Sequence, residues 1–266
     1  MEAAAAWPDR GALAKLGGIG LAAGLFGAIL GVGGGVIVVP LLGFLFAYDQ
    51  RRAAATSMGA IGITACVGAV SYALHGRLHV PEAALVGLPA ALGAILGTAL
   101  QQRLPLARLS VLFAALLVFV GLRLVEPGWF GFHAIQHRAW WVYVLALAIG
   151  LLGGILAGLF GVGGGVLFVP TLVLALGLGQ LDAEATSLLA MLPATWLGAW
   201  RQTRYGNIVW RNALTIGVAS VAGVEGGIAI AERLPEATLR RLFGVLLLAM
   251  AVQIVWRARS RSMLRR

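Results

Sequence analysis

GLFGAILGVGGGVIVVP at Gly24–Pro40 and GILAGLFGVGGGVLFVP at Gly154–Pro170 are two versions of one apolar segment, 130 residues apart. The register between them continues in both directions without an insertion. Thr56 and Ser57 fall on Thr186 and Ser187, Gly93 and Gly97 on Gly223 and Gly227, and Arg103-Leu104-Pro105 on Arg233-Leu234-Pro235. Over residues 20–122 roughly a third of positions are identical, the mark of an internal repeat. Shared Ala and Leu content would not align the glycines and prolines. The chain therefore reads as two tandem copies of one multi-helix unit.

What kind of unit follows from composition. The 266 residues are 60% hydrophobic and 11% charged, against about half and a quarter in an ordinary soluble domain. A water-soluble globule is excluded, and the apolar runs recur at the spacing of membrane spans of roughly 20 residues. Spans are expected near 53–75, 82–101 and 106–124, and again near 183–204, 209–231 and 236–256, each set preceded by an interrupted segment, 17–47 or 147–177. Unpaired strand edges are not tolerated in lipid and the alternation of a barrel is absent, so the fold class is an all-α integral membrane protein. Its parts are an N-terminal segment 1–16, repeat 1 at 17–124, a linker and interface segment 125–146, repeat 2 at 147–256 and a basic tail 257–266. In the linker, Trp129, Phe130, Trp140 and Trp141 suit a membrane-interface belt.

The net charge of +10 does not point to nucleic acid, because Arg257, Arg259, Arg261, Arg265 and Arg266 directly follow an apolar span. Cytosolic retention and anionic headgroups account for them. The opening MEAAAAWPDR lacks the basic start and cleavage site of a signal peptide, so the first span is expected to be retained. Cys66 is the single cysteine, inside an apolar span and with no metal-ligand spacing around it. No metal site and no cofactor are expected.

The interrupted segments leave one question open. Counting from residue 17, about 14 residues precede Gly31-Val32-Gly33-Gly34-Gly35 and about 12 follow it, and each limb is too short for roughly 30 Å of hydrocarbon at 1.5 Å per residue. A broken helix that crosses gives parallel repeats; a re-entrant hairpin gives inverted ones. Lys and Arg divide 14 against 6 for hairpins and 13 against 7 for crossings, and both place the termini on the positive, cytoplasmic side.

The residues that can carry chemistry are few. Gly33, Gly34 and Gly35, with Gly163, Gly164 and Gly165, can adopt positive φ, and successive N–H groups where a half-helix starts can form an anion-binding nest. The competing reading is close helix packing, which suits the earlier glycines Gly20, Gly24 and Gly27. No Lys-Ser/Thr follows the glycines and no βαβ pattern surrounds them, so nucleotide binding is discarded. Thr56, Ser57, Thr186 and Ser187 begin the next span of each unit, where hydroxyls either cap a helix or donate to an oxyanion. At the far end of those spans stand His75, Arg77 and His79 in one half and Gln202 and Arg204 in the other. His75, Arg77 and Arg204 are vestibule candidates, although a helix C-terminus favours the same residues. Glu225 is an acid well inside a span, at the place of Ile95 in the first half, and is the candidate to carry a coupling proton or to make a structural hydrogen bond. His75, His79, His133 and His137 lie near loops and form no HExxH pattern, so no enzyme is expected.

With the doubled GxGGGxxxxP motif, the Thr-Ser start of the next span and the span count in view, the sequence resembles the TauE/SafE family, the sulfite exporters, over about residues 17–256. The resemblance implies a permease of the bacterial cytoplasmic (inner) membrane that moves sulfite, a sulfonate or a related sulfur anion, commonly outward. It carries over to the glycine motifs and Thr-Ser pairs; Gln202 and Glu225 rest on the reading of the residues. The expected function is a secondary transporter of a small anion, bound between the repeats near the bilayer midplane. The alternatives are an anion channel or a permease for a small organic acid. The expected partners are the anion, membrane lipid and a proton or other ion gradient, with a homo-oligomer left open and no nucleic acid.

Overall fold

The computed structural model of the chain describes residues 9–103 and 140–263, with isolated helical positions 114, 115, 118, 121, 122 and 125 between them, and side chains as far as Gln253. The expected span 106–124 lies mostly outside the described residues. Trp129, Phe130, His133, His137, Arg108, Arg123, Arg138 and the tail arginine side chains lie outside them too.

The described residues form helices and no strands. They are α1 (Arg10–Ile29), α2 (Gly35–Leu45), α3 (Gln50–Leu74), α4 (Val80–Arg103), α5 (Trp140–Phe160), α6 (Gly165–Leu174), α7 (Gln180–Arg204), α8 (Trp210–Ala231) and α9 (Glu236–Met263). Five of them, α1, α3, α4, α5 and α8, are long and apolar enough to cross a membrane.

One expectation is corrected here. The first limb starts at Arg10 and not near 17, because the Asp9 carboxylate accepts the Ala12 N–H at 2.7 Å and caps the helix. Its counterpart starts at Trp140, inside the expected linker. At 20 and 21 residues, α1 and α5 are each about 30 Å long, so neither limb is too short to cross. Only α2 and α6, 11 and 10 residues, are half-length.

Helix directions follow from which residues meet. A methyl on Gly20 would strike the Ile216 carbonyl, one on Gly24 the Ser220 carbonyl and one on Gly223 the Leu21 carbonyl, so α1 and α8 run parallel. The same contacts recur 130 residues on: Gly150 on Val86, Gly154 on Ala90, and Gly93 on Leu151, so α5 and α4 run parallel. Without a hydrophobic drive between helices in lipid, this close backbone approach supplies the packing. Each repeat's first helix thus packs on a helix of the other repeat, α1 on α8 and α5 on α4.

Helix α3 runs with α8, since Gly59 faces Ala213 and Gly217 faces Ile63, but against α7, since Gly62 faces Trp196 and Gly68 faces Leu188. Helices α1, α3 and α8 therefore point one way and α4, α5 and α7 the other. Because α1 and α3 are parallel, α2 must return the chain between them. It does so along α1: Gly34 abuts Ala23, and Val38, Val39 and Leu42 share a buried cluster with Leu16 and Ile19. Gly164 lies likewise against Gly153 of α5. The interrupted segments are re-entrant and the repeats inverted.

The two ends of the bundle differ in charge. Among the described residues one end, where α1, α3 and α8 begin, gathers Arg10, Lys15, Arg51, Arg52, Arg103, Arg201, Arg204 and Arg211 with only Asp9 and Asp49. The other gathers Glu82, Asp182, Glu184, Glu225, Glu232 and Glu236 with Arg77, Arg233, Arg240 and Arg241. At the cationic end Tyr48, between α2 and α3, takes an Asn212 amide hydrogen bond at 2.8 Å and lies under Arg52. Burial pushes its phenol above the usual value despite Arg52 and Asn212, so it stays protonated.

Candidate functional site

The two glycine loops meet in the middle of this arrangement. Gly33 and Gly34 have φ of +68° and +79°, and Gly163 and Gly164 +89° and +88°, a region that costs a residue with a Cβ roughly 1–2 kcal/mol. Helix α2 starts at Gly35 and α6 at Gly165, with Gly34 and Gly164 as N-caps that offer no side-chain acceptor. A methyl on Gly35 would lie 2.8 Å from the Gly161 carbonyl oxygen, and one on Gly165 would run into that of Gly31. Two half-helices of opposite direction thus bring their N-termini to one buried place, one from each repeat. Each N-terminus presents first-turn N–H groups and the positive end of its dipole. Ile61 and Met191, equivalent across the repeat, cover the loops: a methyl on Gly163 would be 3.2 Å from Ile61 Cγ2 and 3.0 Å from Met191 Sδ.

Thr56, Ser57, Thr186 and Ser187 are fully buried, and their hydroxyls bond across to the other repeat. Ser57 Oγ donates to the Gly161 carbonyl at 2.8 Å and Ser187 Oγ to that of Gly31 at 2.9 Å. Thr56 Oγ1 accepts the Val209 N–H and Thr186 Oγ1 the His79 N–H, each at 3.2 Å. Each Thr-Ser pair therefore holds the opposite repeat at two points: its glycine loop and the turn before α8 or α4.

Gln202 is buried, but it belongs to a chain that sequence reasoning missed. Its Nε2 donates to Gln101 Oε1 at 2.6 Å, Gln101 Nε2 donates to the Leu159 carbonyl at 2.6 Å, and Asn207 Nδ2 donates to Gln202 Oε1 at 2.8 Å. In the first repeat the place of Gln202 is taken by Tyr72, whose hydroxyl donates to the Ala28 carbonyl at 3.1 Å. The phenol reaches the end of α1 alone; the two amides reach the end of α5 in relay. Gln101 gave no repeat signal because its counterpart is Ala231.

The vestibule candidates lie at opposite ends, as inversion requires. At the acidic end Arg77 is 3.5 Å from Asp182, His79 Nε2 is 3.7 Å from Asp182, and His75 Nε2 is 4.0 Å from Glu232. At the cationic end the Arg204 guanidinium stacks 4.4 Å from the Trp200 ring and Arg201 donates to the Tyr205 hydroxyl at 2.7 Å. Glu225 is exposed on α8, and its carboxylate accepts from Ser71 Oγ at 2.5 Å. A second acid, Glu184, is fully buried beside Gly31. It stands where the first repeat has Ala54 and was overlooked because it begins its span. Among the described residues no group of three His, Cys, Asp or Glu could hold a metal ion.

A family profile described as sulfite exporter TauE/SafE matches residues 3–124 and 146–266. A probable membrane transporter protein of Xylella fastidiosa (strain 9a5c) is 30% identical over 248 residues, 90% of this chain and 92% of that protein. The probable membrane transporter protein YunE of Bacillus subtilis (strain 168) is 24% identical over 260 residues, 90% of this chain and 95% of its own. No solved structure matches. A match that covers both repeats, on a bundle whose halves interlock through the shared glycine motif, places the chain in the sulfite exporter TauE/SafE family of membrane transporters.

Proposed function

We propose that the chain is a secondary transporter that moves a small anion, sulfite, a sulfonate or a related sulfur oxyanion, out of a bacterial cell. The observation that carries the reading is the meeting of two half-helix N-termini, one from each inverted repeat, at Gly33–Gly35 and Gly163–Gly165. Half-helix N-termini at the midplane suit an anionic group. An oxyanion asks for several donors and little apolar surface, which glycine backbone offers.

In this reading Ser57 and Ser187 hold the loops while the site is closed. As one repeat rocks against the other, they and Thr56, Thr186 and Gln202 join the loop N–H groups around the anion. The arginine-rich end and the C-terminus face the cytoplasm of the bacterial inner membrane, and Arg204 and its neighbours raise the local anion concentration at the entrance. His75 and Arg77 stand at the exit. A proton gradient is the proposed driving force, with the buried Glu184 and the exposed Glu225 as the candidate carboxylates.

The test is uptake into proteoliposomes of sulfite, thiosulfate, sulfoacetate, taurine and a carboxylate, with and without an imposed pH gradient. Saturable, gradient-sensitive flux of one sulfur anion is the expected result. Flux that never saturates and cannot be driven uphill would replace the transporter with a channel, and flux of the carboxylate alone would replace the substrate class.

A further inference from the structure

Among the described residues three buried side-chain oxygens near the acidic end lack a hydrogen-bond partner, Asp182 Oδ1, Gln180 Oε1 and Glu184 Oε2, and of these only Asp182 has a cation beside it, Arg77 at 3.5 Å. Glu184 is 0% and Gln180 2% exposed, and both lie on α7, one turn apart. Gln180 Nε2 donates to Glu184 Oε1 at 2.8 Å. Among the described residues the remaining oxygens of this pair, Glu184 Oε2 and Gln180 Oε1, have no hydrogen-bond partner. Both are acceptors when the carboxyl is ionised, so neither can satisfy the other. Leaving such groups buried and unpartnered destabilises the fold, and more so for a charge.

One proton removes both deficits. A protonated carboxyl has an O–H donor on Oε2 and an amide has a free carbonyl, and together they form the two-bond ring of a carboxylic acid paired with a primary amide. Among the described residues no cation is turned to the pair instead. At this end Arg77 and His79 are turned to Asp182 and His75 to Glu232. Helix α3 presents the Tyr72 phenol, whose hydroxyl donates to the Ala28 carbonyl. Helix α9 brings Glu236, a like charge, near the pair, with Arg240 and Arg241 a turn further on. Helix α4 adds Glu82 at this end, α5 carries only Tyr143, and α1 and α6 add nothing titratable here.

We infer that Glu184, paired with Gln180, is the proton-binding site that couples this transporter to a proton gradient, in place of Glu225. The inference rests on the transporter reading. Its position explains how the proton is felt at the anion site. A methyl on Gly31 would lie 2.5 Å from Glu184 Cα and 2.8 Å from its carbonyl oxygen, and Ser187, one turn along α7, holds the Gly31 carbonyl. Loss of the proton sets the carboxylate against the Gln180 carbonyl oxygen and stresses the turn that grips the glycine loop. The route to water is short, since Glu184 is five residues into α7, about 6 Å from its start at 1.5 Å per residue. Glu225 is exposed, and its carboxylate already accepts from Ser71.

Two measurements on the purified full-length protein in lipid test this. Infrared difference spectra over a pH titration should show a protonated-carboxyl band at neutral pH that shifts in D2O, is lost in Glu184→Gln and is kept in Glu225→Gln. A band that survives Glu184→Gln, or no such band, overturns the proposal. So does stabilisation by sodium over choline chloride that vanishes in Glu184→Gln, which would give the pair to a metal cation. In proteoliposomes Glu184→Gln should retain exchange of labelled sulfite for sulfite but lose accumulation driven by a pH gradient, and Glu225→Gln should retain both. Gradient-driven accumulation that persists in Glu184→Gln overturns the coupling role. Absence of exchange in the wild type, with the infrared band present, would instead sink the sulfite reading and leave the proton site standing.

Discussion

Replacing one glycine with alanine at matched positions in α1 and α5 tests the inverted packing quantitatively. At Gly18 nothing lies within 4 Å of an added methyl, and the position is exposed. Only helix propensity acts there, and Gly18→Ala should gain up to about 1 kcal/mol. At Gly154 the methyl would strike the Ala90 carbonyl oxygen and lie 2.6 Å from the carbonyl carbon and Cα behind it. At Gly24 it would strike the Ser220 carbonyl and lie 2.9 Å from the Val224 nitrogen. These are backbone atoms of a straight helix with no rotamer to change, so the overpacking cost belongs at the upper end of about 1–3 kcal/mol. Set against the propensity gain, Gly24→Ala and Gly154→Ala should each lose about 2 kcal/mol, and by symmetry equally. The assay is thermal unfolding in lipid nanodiscs, followed by tryptophan fluorescence, for the three variants and the wild type. A midpoint for Gly24→Ala or Gly154→Ala at or above that of Gly18→Ala would refute the parallel pairing of α1 with α8 and of α5 with α4.

Other variants read other parts of the arrangement. With Cys66 changed to Ser, Arg77→Cys and Arg204→Cys should react with an impermeant maleimide from opposite faces of the membrane; labelling from one face would rule out inverted repeats. Ser57→Ala and Ser187→Ala each strand a buried loop carbonyl and should cost about 1–2 kcal/mol, above the roughly 0.6 kcal/mol average for hydrogen bonds between membrane helices. Each should also slow sulfite flux, and unchanged stability and flux in either would remove the reciprocal lock. Gln202→Leu strands Gln101 and Asn207 together, so a double-mutant cycle with Gln101→Leu should show a coupling of order 1 kcal/mol; additive losses would mean that the two amides act independently.

Much of this architecture was legible because the chain states it twice. The glycine loops, the Thr-Ser pairs and the packing glycines are constrained in both copies, so a shift of 130 residues exposes them. What the shift could not show is which copy each residue touches. Ser57 and Ser187 were expected beside the glycines, but sequence order suggests their own loop, and in the fold each reaches the other one. The choice between hairpin and crossing was hidden for a smaller reason. Asp9 extends α1 by seven residues beyond the expected start at 17, and with the limb counted too short, a long helix followed by a half-helix was not considered. Glu184 was missed because an acid at the edge of a span reads as solvated, and only the fold shows it closed in behind Gly31.

The places where the copies differ carry the most functional meaning. A strictly symmetric inverted pair would have inward-open and outward-open states of equal energy, since each is the other with the halves exchanged. Here the symmetric residues form the scaffold and the central loops, while the asymmetric ones sort by end. Tyr72, Glu184 and Glu225 stand toward the acidic end, and Gln101, Gln202 and Asn207 toward the arginine-rich end, with Ala231 and Ala54 as the plain counterparts of Gln101 and Glu184. On the proposed reading this sorting biases the cycle. An anion is drawn in by the arginine-rich end, held where donors from both halves meet, and released past acids that disfavour its return. The titratable group then belongs on the exit side, within reach of the loop it must influence, and Glu184 behind Gly31 meets both conditions. Glu225, bonded to Ser71 on the outer side of α8, meets only the first.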